Sequence, residues 1–582
     1  MPIERSMYIW PAFHTRPTVS SKKGVIAAGH YMATAAGIRM YAKGGNAVDA
    51  GVAAAFALAV TRPHKNGIGG ESPTLIYSPK HQKAFAISGV GFAPKALSIE
   101  WLRAHGIKSI PGFGYLGALV PAQIGCFCTA LKLFGTLPLD EVLEPAIELC
   151  FDGFPIYEGL REYLSTTEDG LFTEKLPENG KIFLKDGKAP KRGDLVRQPD
   201  LGATYQKLAD AYRSGASRSR EDGIDCAIDR FYRGDIAKAI VDYVSTFPVK
   251  DSTGVHTSLL TLEDFAEYQT LVEEPLQVKY RDFTVCKCGP WSQGPVLLQN
   301  LKLLEGFDLK AMGHNSAQYV HTVIECSKIA YNDRNRYYGD MRFAKVPFDK
   351  LLSDEYAAKR RLEIDAYRAN NGKMWDDDLF DASGDIDKTD TTHLDAVDSE
   401  GFMMSSTPSG GWIRSNPRVP GVGLQLTTRG QMFYMNPKAP NCLEPGKRPR
   451  VTLTPSLAFR KGEPWMAFGS PGGDNQDQWG LQTFLNIAEF DMYLQDAIDV
   501  STFYTCHFKN SFYPHDAMEG YVFYEPLPAN IVNNLIDRGH KMVLLEPFNN
   551  GEVCAVMRNP KNGFIEGAAS PKEERQSYAM GW

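Results

Sequence analysis

The stretch that decides the reading is Asp390-Thr391-Thr392-His393-Leu394-Asp395-Ala396-Val397-Asp398, continued by Ser399-Glu400-Gly401 and Phe402-Met403-Met404-Ser405-Ser406-Thr407. Upstream of it, residues 371–390 (NGKMWDDDLFDASGDIDKTD) hold seven Asp and three Gly or Ser. Such a segment offers little to bury, so a mobile, solvated acidic linker is expected there. From His393 the pattern changes: 393–397 and 402–407 read as two strands flanking the turn at Ser399-Glu400-Gly401. Thr391 therefore stands where the linker meets a β-hairpin. A threonine hydroxyl is a weak nucleophile and needs a base. If the bond after Asp390 is cut, the new α-amino group of Thr391 has a reference pKa of about 7.7 to 8.0 and can take the hydroxyl proton of its own residue. The plain alternative is that Thr391-Thr392 merely starts a strand, and spacing alone does not decide between the two.

The rest of the chain bounds what such a group would act on. With 582 residues, 43% of them hydrophobic, the chain can bury a large core. Charged residues make up 23% and the net charge is -6, so nothing in the balance calls for nucleic acid or an anionic membrane surface, and a small-molecule partner is expected. The longest apolar stretch, Ala47 to Val60, has an Asp inside it and is too short to cross a bilayer core of about 30 Å; it reads as a buried helix. Residues 1–17 lack an unbroken apolar core, so no secretory signal is read and a cytoplasmic location is expected. The close cysteine pairs Cys126/Cys128 and Cys286/Cys288 match no zinc spacing. All ten cysteines are expected as reduced, partly buried thiols, and no metal is assigned.

Local patterns place several elements. Ala33 to Lys43 reads as a helix stopped by Gly44-Gly45, after which Asn46 can cap the next helix with Asp49 in a capping-box position. A second helix is expected over Ala317 to Tyr331, ending in a charged turn at Asn332-Asp333-Arg334. Ser470-Pro471-Gly472-Gly473 follows the apolar run Trp465 to Phe468. Two glycines at a strand end let backbone amides face a reacting carbonyl, although an ordinary glycine-rich turn has the same composition. No Gly-x-Ser-x-Gly elbow occurs in the chain. Gly112 to Gly117 matches a dinucleotide pattern formally, but it follows Ile110-Pro111 rather than a clear strand and reads as a turn. No organic cofactor is implied.

Together these motifs resemble the γ-glutamyltransferase family along nearly the whole chain. Thr391-Thr392-His393 with Asp398 is similar to its cleavage and nucleophile motif, and Gly44 to Ala50 followed by Gly67-Ile68-Gly69-Gly70 to its N-terminal signature. Phe134-Gly135-Thr136-Leu137, Ser292-Gln293-Gly294-Pro295, Lys447-Arg448-Pro449 and Ser470-Pro471-Gly472-Gly473 follow in the family's order. The resemblance implies an α+β fold, the four-layer αββα sandwich of the N-terminal-nucleophile (Ntn) hydrolases. It also implies a zymogen that cuts itself between Asp390 and Thr391 into a large segment, 1–390, and a small one, 391–582, held together as a heterodimer, with any higher oligomer left open. By the same resemblance Thr391 is the nucleophile and the N–H groups of Gly472 and Gly473 form the oxyanion hole. Ser409 stands where the transferases carry a threonine that bonds the nucleophile, with Thr407 as a rival.

The departures concern specificity. Val90 stands where the transferases carry an arginine for the donor carboxylate, and Gly411 stands where they carry an asparagine. Their amine-binding aspartate stretch is replaced by Thr427-Thr428-Arg429-Gly430-Gln431-Met432-Phe433, and no carboxylate occurs from 401 to 442. Arg429-Gly430, Asn436-Pro437, Pro440-Asn441 and the run 473–478 resemble a branch that includes an oxamate amidohydrolase and cephalosporin-acylase-like members. The expectation is hydrolysis of a small amide, not a typical γ-glutamyl donor, through an ester on Thr391. Arg429 is the candidate ligand for a substrate carboxylate, or else half of a structural ion pair. Asp474, Gln476 and Thr407 are further pocket candidates, and His393 is expected to be structural. A glutathione hydrolase or transpeptidase, and an uncleaved non-catalytic member, are the alternatives.

Overall fold

The helical hairpin at the N-terminal signature forms as its capping residues require. In the computed structural model, which describes residues 15–166, 170–375 and 390–582, helices Tyr31–Ala42 and Ala47–Thr61 are joined through Gly44-Gly45. Asn46 accepts from Val48 N and Asp49 N while Asp49 Oδ2 accepts from Asn46 N, a complete capping box. Every residue of Ala47–Thr61 is buried, which explains its alanine-rich sequence.

Two seven-stranded antiparallel sheets form the centre. One runs in spatial order Val19–Ser21, Ile565–Ala569, Cys554–Arg558, Glu463–Gly469, Ser456–Arg460, Phe283–Lys287 and Leu276–Tyr280. The other runs Tyr578–Gly581, Gly24–Ala28, Leu394–Asp398, Met403–Ser406, Thr74–Ser78, Lys83–Ile87 and Val272–Glu273. The expected hairpin is the third and fourth strands of this second sheet.

Strand alternation sorts the side chains into layers. Val25, Ala27, Val397 and Met403 meet Leu457, Ala467 and Val556 between the sheets. Ile26, Ala28, Ala396 and Met404 face away from that interface and pack under the helix Ala47–Thr61. On the far side, Ala458, Met466 and Phe468 pack against helices Pro295–Leu304, Ala317–Tyr337 and Gln476–Ala488. Helix, sheet, sheet, helix is the expected αββα sandwich. Both central strands of the hairpin are buried along their whole length, because each sheet is covered on both faces.

The expected charged turn does not form. The helix beginning at Ala317 passes straight through Asn332-Asp333-Arg334 and continues to Tyr337. Its charges are buried and paired instead of solvated. Asp333 accepts from Arg360 Nη1 at 2.6 Å and Gln299 Nε2 at 2.9 Å, and Arg334 pairs with Asp474. Of the expected acidic linker, 371–375 are held in place: Asn371 Nδ2 donates to Gly539 O at 2.7 Å and His507 Nε2 to Gly372 O at 3.0 Å. Residues 376–389 lie outside the described residues. All ten cysteines are free thiols. Among the described residues, no helix is long and apolar enough to cross a membrane.

Candidate active site

The site is assembled by extending the second sheet beyond its regular strands. Thr391 and Ser409 form one antiparallel bridge and Ser409 and Glu71 another. Ser409 N donates to Glu71 O at 2.9 Å, and Glu71 N donates to Ser409 O at 2.8 Å. The glycine signature makes this approach possible: a Cβ on Gly70 would stand 2.1 Å from Ser409 O, and one on Gly69 1.8 Å from Gln425 O. The same crowding accounts for Gly411. Its φ is +60°, and a Cβ would lie 3.0 Å from Gly70 N and 3.1 Å from Gln425 O and Gly67 O, so any side chain there would press on three main-chain atoms.

Around Thr391 the hydroxyl hydrogens can be assigned by counting. Thr391 Oγ1 lies 3.1 Å from Ser409 Oγ, which lies 2.9 Å from Asp390 O; Arg429 Nη2 lies 2.5 Å from the same Ser409 oxygen. A guanidinium only donates and a carbonyl only accepts. The one hydrogen of Ser409 therefore goes to Asp390 O, and Ser409 accepts from both Arg429 and Thr391. This makes a directed chain from the Thr391 hydroxyl through Ser409 to the carbonyl of the preceding residue. Asp390 O also accepts from Trp412 Nε1 at 2.6 Å, and Asp390 Oδ1 accepts from Thr391 N at 2.7 Å.

Behind this chain lies a fully buried ion pair, Arg429 Nε to Glu71 Oε2 at 3.3 Å. Burial pushes the Glu71 carboxyl up and the Arg429 guanidinium down, and each partly restores the charged form of the other. The guanidinium also stacks over the Trp412 ring at 4.9 Å and the Phe512 ring at 5.5 Å. Two of its three nitrogens are committed to protein partners, while Nη1 is buried without one. The segment 401–442 has no carboxylate of its own, yet folding brings one to it, because Glu71 reaches the region from far upstream. Its one sequence signal is its position directly after Gly69-Gly70.

A second charged cluster holds the Asp390 side chain. Lys65 Nζ, 1% exposed as a residue, pairs with Asp390 Oδ2 at 2.7 Å and lies 3.3 Å from Glu573 and 3.6 Å from Glu552. Arg62 pairs with Glu552 at 2.7 Å and with Glu574 at 2.6 Å, and His64 with Glu574 at 2.7 Å. Burial opposes the charge on Lys65, but Asp390, Glu552 and Glu574 outweigh it and hold the ammonium protonated.

The glycine loop leaves the same end of the sandwich. His393, two residues past Thr391, packs on the last residue of Glu463–Gly469: a Cβ on Gly469 would stand 2.4 Å from its ring. Gly472 has φ +119° and the Trp479 ring where a side chain would go, so only glycine fits. His393 Nδ1 lies 2.9 Å from Thr407 Oγ1 and its Nε2 3.0 Å from Asp395 Oδ2. Thr407 thus partners His393, not Thr391. Asp474 is buried, pairs with Arg334, and accepts from Ser511 N at 2.8 Å and Ser511 Oγ at 2.6 Å. The Gln476 amide, turned as its neighbours require, donates to Ser470 O at 3.1 Å and Thr452 O at 3.3 Å, bracing the glycine loop from behind. Away from this site, His321, Glu325 and His540 converge, but their bonds hold the main chain ahead of the linker. His321 Nε2 donates to Asp365 O at 2.7 Å, Glu325 accepts from Asn370 N at 3.1 Å, and Lys328 Nζ already pairs with Glu325 at 2.7 Å.

An αββα sandwich with a hydroxyl residue at the head of a central strand and a glycine loop at the same end defines the class, the Ntn hydrolases. The family description gamma-glutamyltranspeptidase matches residues 33–580, and the chain belongs to that family. It is 30% identical to the glutathione hydrolase proenzyme of Escherichia coli (strain K12), over 95% of this chain and 91% of that protein. The solved structure of LmbA2991HD is 38% identical with a TM-score of 0.92, covering 98% of this chain and 100% of that one. The crystal structure of cephalosporin acylase from Bacillus halodurans is 28% identical with a TM-score of 0.83, covering 100% of this chain and 99% of that one. The chain is accordingly an Ntn-type enzyme of the threonine-nucleophile kind.

Proposed function

We propose that the chain cuts itself between Asp390 and Thr391 and then hydrolyses a small amide, other than a typical γ-glutamyl donor, through an acyl ester on Thr391. The observation that carries this reading is the directed chain Thr391 to Ser409 to Asp390 O, with Arg429 fixing its middle member. In the mature enzyme the α-amino group of Thr391 takes the hydroxyl proton, Thr391 Oγ1 attacks the amide carbonyl, and the amine leaves with that proton. Water then opens the ester and restores the hydroxyl. The N–H groups of Gly472 and Gly473 receive the oxyanion in this reading.

The substrate preference rests on the buried surroundings. Val90, at the place of the transferases' arginine, belongs to the same apolar cluster as Trp412 and Met432 and offers no cation. Glu71, which folding brings beside Ser409 and Arg429, is already paired with Arg429. Arg429 Nη1 is the group left to meet a substrate carboxylate. Likeness to a cephalosporin acylase along the whole chain supports the acylase side of the family. Likeness to a glutathione hydrolase proenzyme keeps γ-glutamyl hydrolysis as the second reading.

Intact mass measurement under denaturing conditions tests the first step. Two fragments, one beginning at Thr391, are expected, and one full-length mass sinks the proposal. Parallel assays with small N-acyl amides and a γ-glutamyl anilide test the second. Turnover of the anilide alone would give the transferase reading.

A further inference from the structure

We propose that the indole N–H of Trp412 is a catalytic donor of the self-cleavage step, forming with Ser409 an oxyanion site separate from Gly472-Gly473. This rests on the reading that the Asp390–Thr391 bond is self-cleaved. The carbonyl of Asp390 is the group that Thr391 Oγ1 must attack, and its oxygen is held by two side-chain donors, Ser409 Oγ at 2.9 Å and Trp412 Nε1 at 2.6 Å. Both donors are thus already within hydrogen-bond distance of the oxygen on which charge develops as the carbonyl is attacked.

The chemistry of the two donors differs. Ser409 accepts from Thr391 while donating to the carbonyl, so it can pass a proton. Indole nitrogen only donates and does not titrate, so Trp412 can stabilise charge without taking part in proton transfer. The residue is 2% exposed, and the Arg429 guanidinium lies over its ring at 4.9 Å and reaches the oxygen that becomes negative through the shared Ser409 hydroxyl. The same N–H lies 3.1 Å from Lys65 O. A shared donor of this kind can follow the stronger acceptor as charge builds on Asp390 O and return to Lys65 O once Asp390 departs. It is therefore satisfied before and after the cut.

Atoms and protons balance in this step. Thr391 Oγ1 bonds to the Asp390 carbonyl carbon; Ser409 takes its proton and gives one up, so that one proton reaches the Thr391 nitrogen as the C–N bond breaks, leaving an ester, a free α-amine and an unchanged Ser409 hydroxyl. Water then adds to the ester carbonyl; its hydroxyl stays on Asp390 as the new carboxyl group, and its other hydrogen returns to Thr391 Oγ1.

The test follows cleavage of newly synthesised full-length chain by intact mass over time, with the melting temperature of the uncut fraction measured alongside. Trp412→Phe keeps a ring against Arg429 and removes the N–H. Site-specific replacement of Trp412 by benzothienylalanine keeps the bicyclic shape and substitutes sulfur for N–H. The expected result is release of the Thr391 fragment about 100-fold more slowly in both, the loss typical of one oxyanion donor, with an unchanged Tm for the isosteric variant. Cleavage of the isosteric variant at the wild-type rate overturns the assignment, whatever the phenylalanine variant does. A wild-type chain that stays whole overturns the parent reading and this one with it.

Discussion

Arg429 Nη2 donates to Ser409 Oγ at 2.5 Å while Arg429 Nε donates to Glu71 Oε2 at 3.3 Å. One guanidinium thereby couples a buried carboxylate to the hydroxyl next to Thr391. The arrangement orients Ser409: with a cation occupying one lone pair, its hydrogen is directed at Asp390 O.

Removing that guanidinium should be felt first in stability. Arg429→Ala leaves Glu71 buried and unpaired, and breaking such a pair costs on the order of 3–5 kcal/mol. Arg429→Lys is expected to recover little, because a single ammonium cannot span Glu71 and Ser409 in the same fork. Chemical denaturation checks this. An Arg429→Ala protein of unaltered stability with a raised KM would make Arg429 purely a substrate ligand.

Ser409→Ala breaks the directed chain without opening a large cavity. Fragment release should slow by about 100-fold or more, in the range of a lost proton-transfer partner. Ser409→Thr keeps the hydroxyl and should still be processed. A time course of intact masses distinguishes the two, and equal rates for alanine and serine would remove Ser409 from the mechanism.

Gly70→Ala is expected to cost about 4 kcal/mol or more, because its Cβ would stand 2.1 Å from Ser409 O and both groups are main-chain bound. The bridge from Glu71 to Ser409 must part for the methyl group to fit. Soluble yield and Tm report the outcome, and a variant of normal Tm that is processed normally contradicts the close approach.

Asp398 supplies a pH dependence. Burial raises its carboxyl to about 6, against the hydrogen bonds it accepts from the backbone of Ala47, Phe402 and Gly401. The folded state then holds a proton that the unfolded chain gives up near pH 4. The contribution is fully present below about pH 4 and lost as pH rises through about 6, at most roughly 3 kcal/mol. Comparing Tm against pH for wild type and Asp398→Asn checks this. The wild-type curve should fall more steeply between about pH 4 and 6 than that of the variant, and parallel curves would contradict it.

Features whose partners lie close together along the chain are legible in the sequence by itself. Asn46 and Asp49 cap each other across three residues, and the hairpin around Ser399-Glu400-Gly401 needs only its own alternation. Asp333 and Arg334 look like a solvated turn because Gln299, Arg360 and Asp474, which neutralise them, come from elsewhere in the chain. Asp474 looks like a pocket residue for the same reason. Glu71, Lys65 and Trp412 carry no such signal, since each matters only through a contact with Ser409, Arg429 or Asp390 that folding creates. Charge on a sequence is easily seen, whereas its neutralisation is a property of three dimensions.

The strand order carries a consequence for the life of the molecule. Gly24–Ala28 lies between Leu394–Asp398 and Tyr578–Gly581, and Phe283–Lys287 lies beside Ser456–Arg460, so each sheet is woven from both sides of the Asp390–Thr391 bond. A chain cut there yields two pieces that each lack the neighbours of their own central strands, with open edges and bare apolar faces in isolation. Folding is then a one-way road: the intact chain can anneal after denaturation, whereas the severed pair must find each other before either has a core. The mature protein's durability would be set by how slowly it comes apart, because there is no easy return.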